Sequence, residues 1–148
     1  MQNKIKLLVQ QLTEKYGTAE PEALCRQMGI VIADCDLPDV TRGFCMTLSY
    51  GTAIVTNQKL CPEARRACIA HELGHAMLHD GLNYMIIQKS TCMVAGRYER
   101  EANLFAACLL MSKLEQSNEI EGATVPELSA ALFLPAESIE EYFKNGNP

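Results

Sequence analysis

The chain has no excess of positive charge. Its 13 Lys and Arg stand against 18 Asp and Glu, a formal net charge of −5 over 148 residues. Broad affinity for nucleic acid needs clustered cations, so direct nucleic-acid binding is not expected. No stretch is long and apolar enough to span a bilayer, so no membrane role is expected. The N-terminal MQNKIKLLVQQLTEKYG lacks the apolar block and small-residue cleavage site of a secretory leader. Seven cysteines are present, an odd number without a C-x-x-C pair. That pattern argues against a cysteine-held metal site and, with no leader, predicts a reduced, cytoplasmic protein. Cys68 and Cys108 sit in apolar helical runs and read as small core residues. Internal repeats, low-complexity segments and linkers are missing too. What remains is an ordinary globular composition without tryptophan, of a length that suits one domain with a real core.

Histidine is scarce, and its placement is the most informative feature present. All three histidines, His71, His75 and His79, fall within nine residues. Residues 71–75 read HELGH, an H-E-x-x-H motif. On a helix His71 and His75 share one face and can grip a single metal ion. Glu72 is one position around the helix, where it can act as general base towards a water at the ion's open position.

Apolar spacing places this motif in an α+β chain that is mainly helical. Residues 3–16 carry Ile5, Leu8, Val9 and Leu12 at helical spacing, and Gly17 stops the run. A second helix starts near Pro21 and ends at Gly29. Residues 30–33, 43–49 and 52–56 read as short strands, the last two around a hairpin turn at Tyr50-Gly51. A small antiparallel sheet is therefore expected. Pro62 and Glu63 open the motif helix, which runs to about His79 before Asp80-Gly81. Residues 82–95 fit a loop or a short helix. A strong helix follows from about Gly96, then a loop at 118–122 and two short helices, Val125 to Phe133 and Ala136 to Phe143. The whole is read as one metallopeptidase-like domain over residues 1–148. N-terminal helices and sheet occupy 1–60, the metal-site helices 61–111 and a helical tail 112–148.

Two histidines do not complete a catalytic zinc site, which usually has three protein ligands. His79 lies two helical turns from His71, roughly 12 Å along the axis, too far to share one ion unless the helix breaks. It also fails the long pattern in which a glycine bends the chain before a third histidine. A role behind the ligands or facing substrate suits it better. Glu99 and Glu101 on the next strong helix are the better ligand candidates. Glu99 shares a stripe with Ala102, Asn103 and Ala106, small residues that let two helices approach. Glu101 shares a side with Phe105 and Cys108. Asn103, four residues beyond Glu99, could orient a ligand from behind. Gly74 inside the motif costs roughly 1 kcal/mol of helix stability relative to Ala, which suggests that something packs close there.

Two blocks, AHELGHAMLH at 70–79 and YEREANLFAACLLM at 98–111, resemble the ImmA/IrrE-type metallopeptidases. Members of that family show an H-E-x-G-H-x-x-x-H block followed by a helix with E-x-x-A-x-x-F-A. The second pattern falls here on Glu99, Ala102, Phe105 and Ala106, which favours Glu99 as the third ligand. The proline that usually follows the apolar end is absent, with Ser112 after Met111, so the end of that helix stays open.

The resemblance implies a zincin-like, cytoplasmic zinc endopeptidase of bacteria or their mobile elements, with a helix-turn-helix transcriptional repressor as its protein substrate. The implied site is a His-His-Glu set of metal ligands, His71, His75 and Glu99, with Glu72 as the catalytic base for attack of water at the ion. Zinc is the expected ion, although manganese or iron also accepts such ligands. Tyr84, Arg97, Tyr98 and His79 are candidates for stabilising an oxyanion. The competing reading is a metal-holding module that docks or senses a transcriptional regulator without cutting it. The tail resembles a helix-turn-helix in rhythm, but its second helix carries Glu137, Glu140 and Glu141 against one basic residue, Lys144. It reads as structural or partner-binding rather than DNA-reading.

Overall fold

The computed structural model describes residues 2–79 and 92–144, with the side chains of the second stretch from Gly96 onward. Helix α1 (Gln2–Tyr16) buries Ile5, Val9 and Leu12, the stripe anticipated from their spacing. Helix α2 (Pro21–Gln27) starts on its proline, whose missing N–H is one of the donors a first turn leaves unpaired anyway. Three strands follow, β1 (Val31–Cys35), β2 (Gly43–Leu48) and β3 (Gly51–Asn57). Helix α3 (Pro62–Leu78) carries the H-E-x-x-H motif, and α4 (Cys92–Gln116) carries Glu99. Two short helices, α5 (Val125–Leu132) and α6 (Ala136–Lys144), form the tail.

The architecture is α+β, with a sheet of order β1-β3-β2. The antiparallel expectation holds for the hairpin, where β2 pairs with β3 from Gly43–Thr56 to Leu48–Gly51. It fails for β1, which joins β3 in parallel from Val31–Ala53 to Cys35–Asn57, so the sheet is mixed. Parallel neighbours cannot be joined by a tight turn. Here β2 forms part of the connection and lies on the outer side of β3. The hairpin turn is also one residue earlier than expected. Leu48 faces Gly51, leaving Ser49 and Tyr50 as the turn and Gly51 as the first residue of β3. Alternation of apolar residues marks a strand without naming its partner, so neither detail was legible beforehand. The Asn57 side chain fixes the segment before β2 by reaching the carbonyls of Leu37, Pro38 and Thr41 at 3.2, 3.1 and 3.0 Å.

Helix α3 lies between the sheet and α4, and the other side of α4 packs on α1 and α6. Enclosure on all sides explains why residues 104–111 of α4 are buried without interruption. Leu104, Phe105, Leu109, Leu110 and Met111 are the large members of this run, each worth about 1.5–3 kcal/mol on burial. Helix α4 begins at Cys92, before the expected Gly96, and continues past Ser112 to Gln116 because no proline stops it. Ser112 fits by turning its hydroxyl back to the Leu109 carbonyl at 2.8 Å. Residues 82–91 of the unassigned stretch lie outside the described residues.

Two glycines set the spacing of these layers. A Cβ on Gly74 would stand 3.1 Å from the Ala102 carbonyl oxygen and 3.1 Å from Phe105 Cβ. The glycine is therefore the point where α3 and α4 touch. A Cβ on Gly43 would stand 2.4 Å from the Val55 carbonyl oxygen and 2.6 Å from Cys68 Sγ, which seats the edge of β2 against α3. Cys68 and Cys108 are buried, and burial pushes both thiols up to about 12, as suits inert core residues.

Candidate metal centre

The close approach at Gly74 determines what the outer parts of the two helices can reach. His71 and His75, one turn apart on α3, hold their rings edge to face with centroids 4.7 Å apart. Their Nε2 atoms converge to 3.1 Å. Glu99 comes across from α4 and straddles the pair, with Oε1 3.1 Å from His75 Nε2 and Oε2 3.2 Å from His71 Nε2. One donor atom from each residue lies within 4.8 Å of the others, so the three could hold a metal ion. Zinc bonds of 2.0–2.1 Å in a tetrahedron require ligand atoms about 3.3 Å apart. The observed separations fall within a few tenths of an ångström of that edge, and two neutral nitrogens with one carboxylate suit a divalent ion. The donor set fits.

Hydrogen bonds behind the rings orient them. The Oδ1 atom of Asn103 can only accept, so His71 Nδ1, at 2.7 Å, donates to it. That leaves the lone pair of His71 Nε2 facing Glu99 and His75. Asn103 thus serves His71 across the helix interface. The signal was its place on the Glu99 stripe facing α3.

Charge in the site is finely divided. Burial disfavours the charged form of His71, but the hydrogen bond to Glu99, reinforced by the charges of Glu72 and Glu99, raises its pKa above the usual histidine value. For His75 burial wins and its pKa falls, despite the same carboxylate. Glu72 is only 8% exposed. Burial pushes its carboxyl up to about 7, with His71 opposing and the Glu99 charge adding to the rise. A carboxyl that titrates near neutrality is matched to taking and returning a proton.

The other residues singled out in the sequence divide clearly. His79 ends α3 as its C-cap and is 5% exposed. It does not join the converging donors. Its Nδ1 meets His75 Nδ1 at 2.9 Å, and its Nε2 meets Glu101 Oε2 at 2.9 Å. With both ring nitrogens engaged, it offers no donor to an oxyanion. Glu101 is likewise turned away from the three donors, bound to His79 and, through Oε1, to Arg97 Nε at 3.1 Å. Tyr98 lies against His79 with ring centroids 4.3 Å apart. Tyr84 lies outside the described residues. No helix among the described residues is long and apolar enough to cross a membrane.

Fold and site together define an α+β domain built around a two-histidine, one-carboxylate centre able to hold a metal ion. The IrrE N-terminal-like domain, a peptidase family, matches residues 25–122, and the chain belongs to that family. The matched region runs from α2 through the sheet, α3 and α4, so it includes every residue of the centre. The chain is also similar to the Uncharacterized immunity region protein 2 of Bacillus phage phi105, at 36% identity over 107 residues. The aligned part covers 72% of this chain and 68% of the phage protein.

Proposed function

We propose that the protein is a cytoplasmic, zinc-dependent endopeptidase, a single domain over residues 1–148, that cuts a helix-turn-helix transcriptional repressor. The observation that carries this reading is the convergence of His71, His75 and Glu99 beside a buried Glu72. Membership in a peptidase family supports the reaction, and similarity to a phage immunity region protein supports a regulator as its target.

When bound, zinc supplies a Lewis acid for the scissile carbonyl and lowers the pKa of a water. The chain's own residues do the rest. His71, His75 and Glu99 bind the ion, and Asn103 sets the orientation of His71. Glu72 takes a proton from the attacking water and delivers it to the departing amine, so that one water is consumed per bond cut. The acidic tail leaves nucleic acid to the regulator.

The test is co-expression with a helix-turn-helix regulator encoded beside this protein, read by intact mass. Two fragments summing to the regulator plus one water, seen with wild type and absent with Glu72→Gln, establish the reaction and the bond. An uncut regulator that co-purifies with both forms overturns the peptidase reading in favour of a docking module.

A further inference from the structure

On its Nδ1 side His75 meets the ring of His79, and the geometry points to His79 and Glu101 as a two-step positioning relay that fixes His75 for metal binding. The inference rests on the metal-centre reading above.

The protons can be assigned from the outside inward. A carboxylate oxygen only accepts, so His79 Nε2 donates to Glu101 Oε2 at 2.9 Å. A neutral His79 then has its lone pair on Nδ1. His75 Nδ1, 2.9 Å away, must be the donor in that contact. A neutral His75 in turn has its lone pair on Nε2, the atom 3.1 Å from both His71 Nε2 and Glu99 Oε1. One carboxylate thereby sets two tautomers in series and leaves the second ring facing the ion. Arg97 Nε closes the outer end by donating to Glu101 Oε1 at 3.1 Å.

Burial makes the arrangement restrictive. The side chains of His79 and Glu101 are 3% and 12% exposed, so water cannot readily replace either partner. Tyr98 packs against His79 with the two rings tilted by 58°. The relay also gives distinct jobs to two acids two positions apart on α4, Glu99 in the centre and Glu101 behind it. Partners of this kind typically contribute 10–100-fold to metal affinity.

The experiment measures zinc affinity by chelator competition on purified wild type, His71→Ala, His79→Ala, His79→Asn and Glu101→Ala, with the melting temperature of each metal-free form. Loss in His71→Ala, a 10–100-fold weakening in His79→Ala and Glu101→Ala, and partial recovery in His79→Asn, whose amide oxygen can still accept from His75, support the relay. Long-range 1H–15N spectra of the zinc-loaded wild type should show protons on His75 Nδ1 and His79 Nε2. Affinity in His79→Ala and Glu101→Ala within about twofold of wild type, or a proton on His79 Nδ1, overturns the relay while leaving the metal centre intact. A wild type that binds no divalent ion overturns the metal centre and the relay together.

Discussion

Helices α3 and α4 contrast with the tail pair α5 and α6 in nearly every respect. The central pair is enclosed, touches at a glycine, and buries Glu72, His75 and His79 among its apolar residues. The tail pair is short and one-sided, burying Leu128, Leu132 and Ile139 while Glu137, Glu140 and Glu141 face outward or partly outward. Local rules hold the tail. Thr124 and Glu127 form a capping box at the start of α5, and Phe133 ends it in the left-handed conformation. The central pair relies on its neighbours, and its start at Cys61 has no side-chain cap. Polar groups can be held rigidly where the surroundings are closed, so the candidate chemistry collects there and the tail serves as cover for α4.

The sharpest way to test this contrast is to remove function from the central pair without loosening it. Glu72→Gln should lower kcat/KM about 10²–10⁴-fold, the usual contribution of a general base, while zinc content and melting temperature stay at wild-type values. Next is the ion itself. Glu99→Ala should weaken zinc binding by more than about 100-fold, beyond what outer partners contribute, as measured by chelator competition. Equal loss in Thr124→Ala would erase the distinction between the pairs.

Packing changes come third. Gly74→Ala gains about 1 kcal/mol of helix propensity but forces α3 away from the backbone of α4, an overpacking cost of about 1–3 kcal/mol. The expected net loss is about 1 kcal/mol by urea denaturation, with weaker zinc binding because Glu99 is drawn back. Thr124→Ala should cost about 1 kcal/mol through the lost cap and leave zinc affinity unchanged.

The smallest effect is a pH dependence at the far end of the central pair. Glu20 accepts from Arg66 Nε at 2.7 Å and Lys113 Nζ at 2.7 Å, tying α3 to α4. Burial raises its pKa, but these two cations outweigh it and bring the folded value below the ordinary 4.5. Its stabilisation is therefore present above that pH and lost as pH falls through the folded value. Solvent screens the cluster, so the amount is about 0.2–1 kcal/mol. The gap between wild type and Glu20→Gln in denaturation midpoints should close on acidification from pH 6 to pH 3.

The particular elements show what sequence could and could not reveal. His71 and His75 were legible because helical spacing alone puts them on one face. Glu99 was preferred to Glu101 on its stripe of small residues and on the family resemblance, and one residue of that stripe, Ala102, packs against Gly74 of α3. The capping box at Thr124 follows from the three-residue spacing of Thr124 and Glu127, a purely local signal. The partner of Asn103 and the direction of β1 were not legible, because each depends on which element lies opposite.

Periodicity along the chain, a local quantity, was enough for the order of helices and strands, and helical spacing put His71 and His75 on one face. The family, and with it the preference for Glu99, came from the resemblance of the two motif blocks. Packing, by contrast, set the mixed sheet, the contact of Asn103 with His71, and the meeting of Glu101 with His79 rather than with the converging donors. The physical reason is that hydrogen bonds between helices depend on crossing geometry and on where α3 ends. Residues 79 and 101 acquire a relation only when the two helices pack, and nothing in their spacing along the chain encodes it.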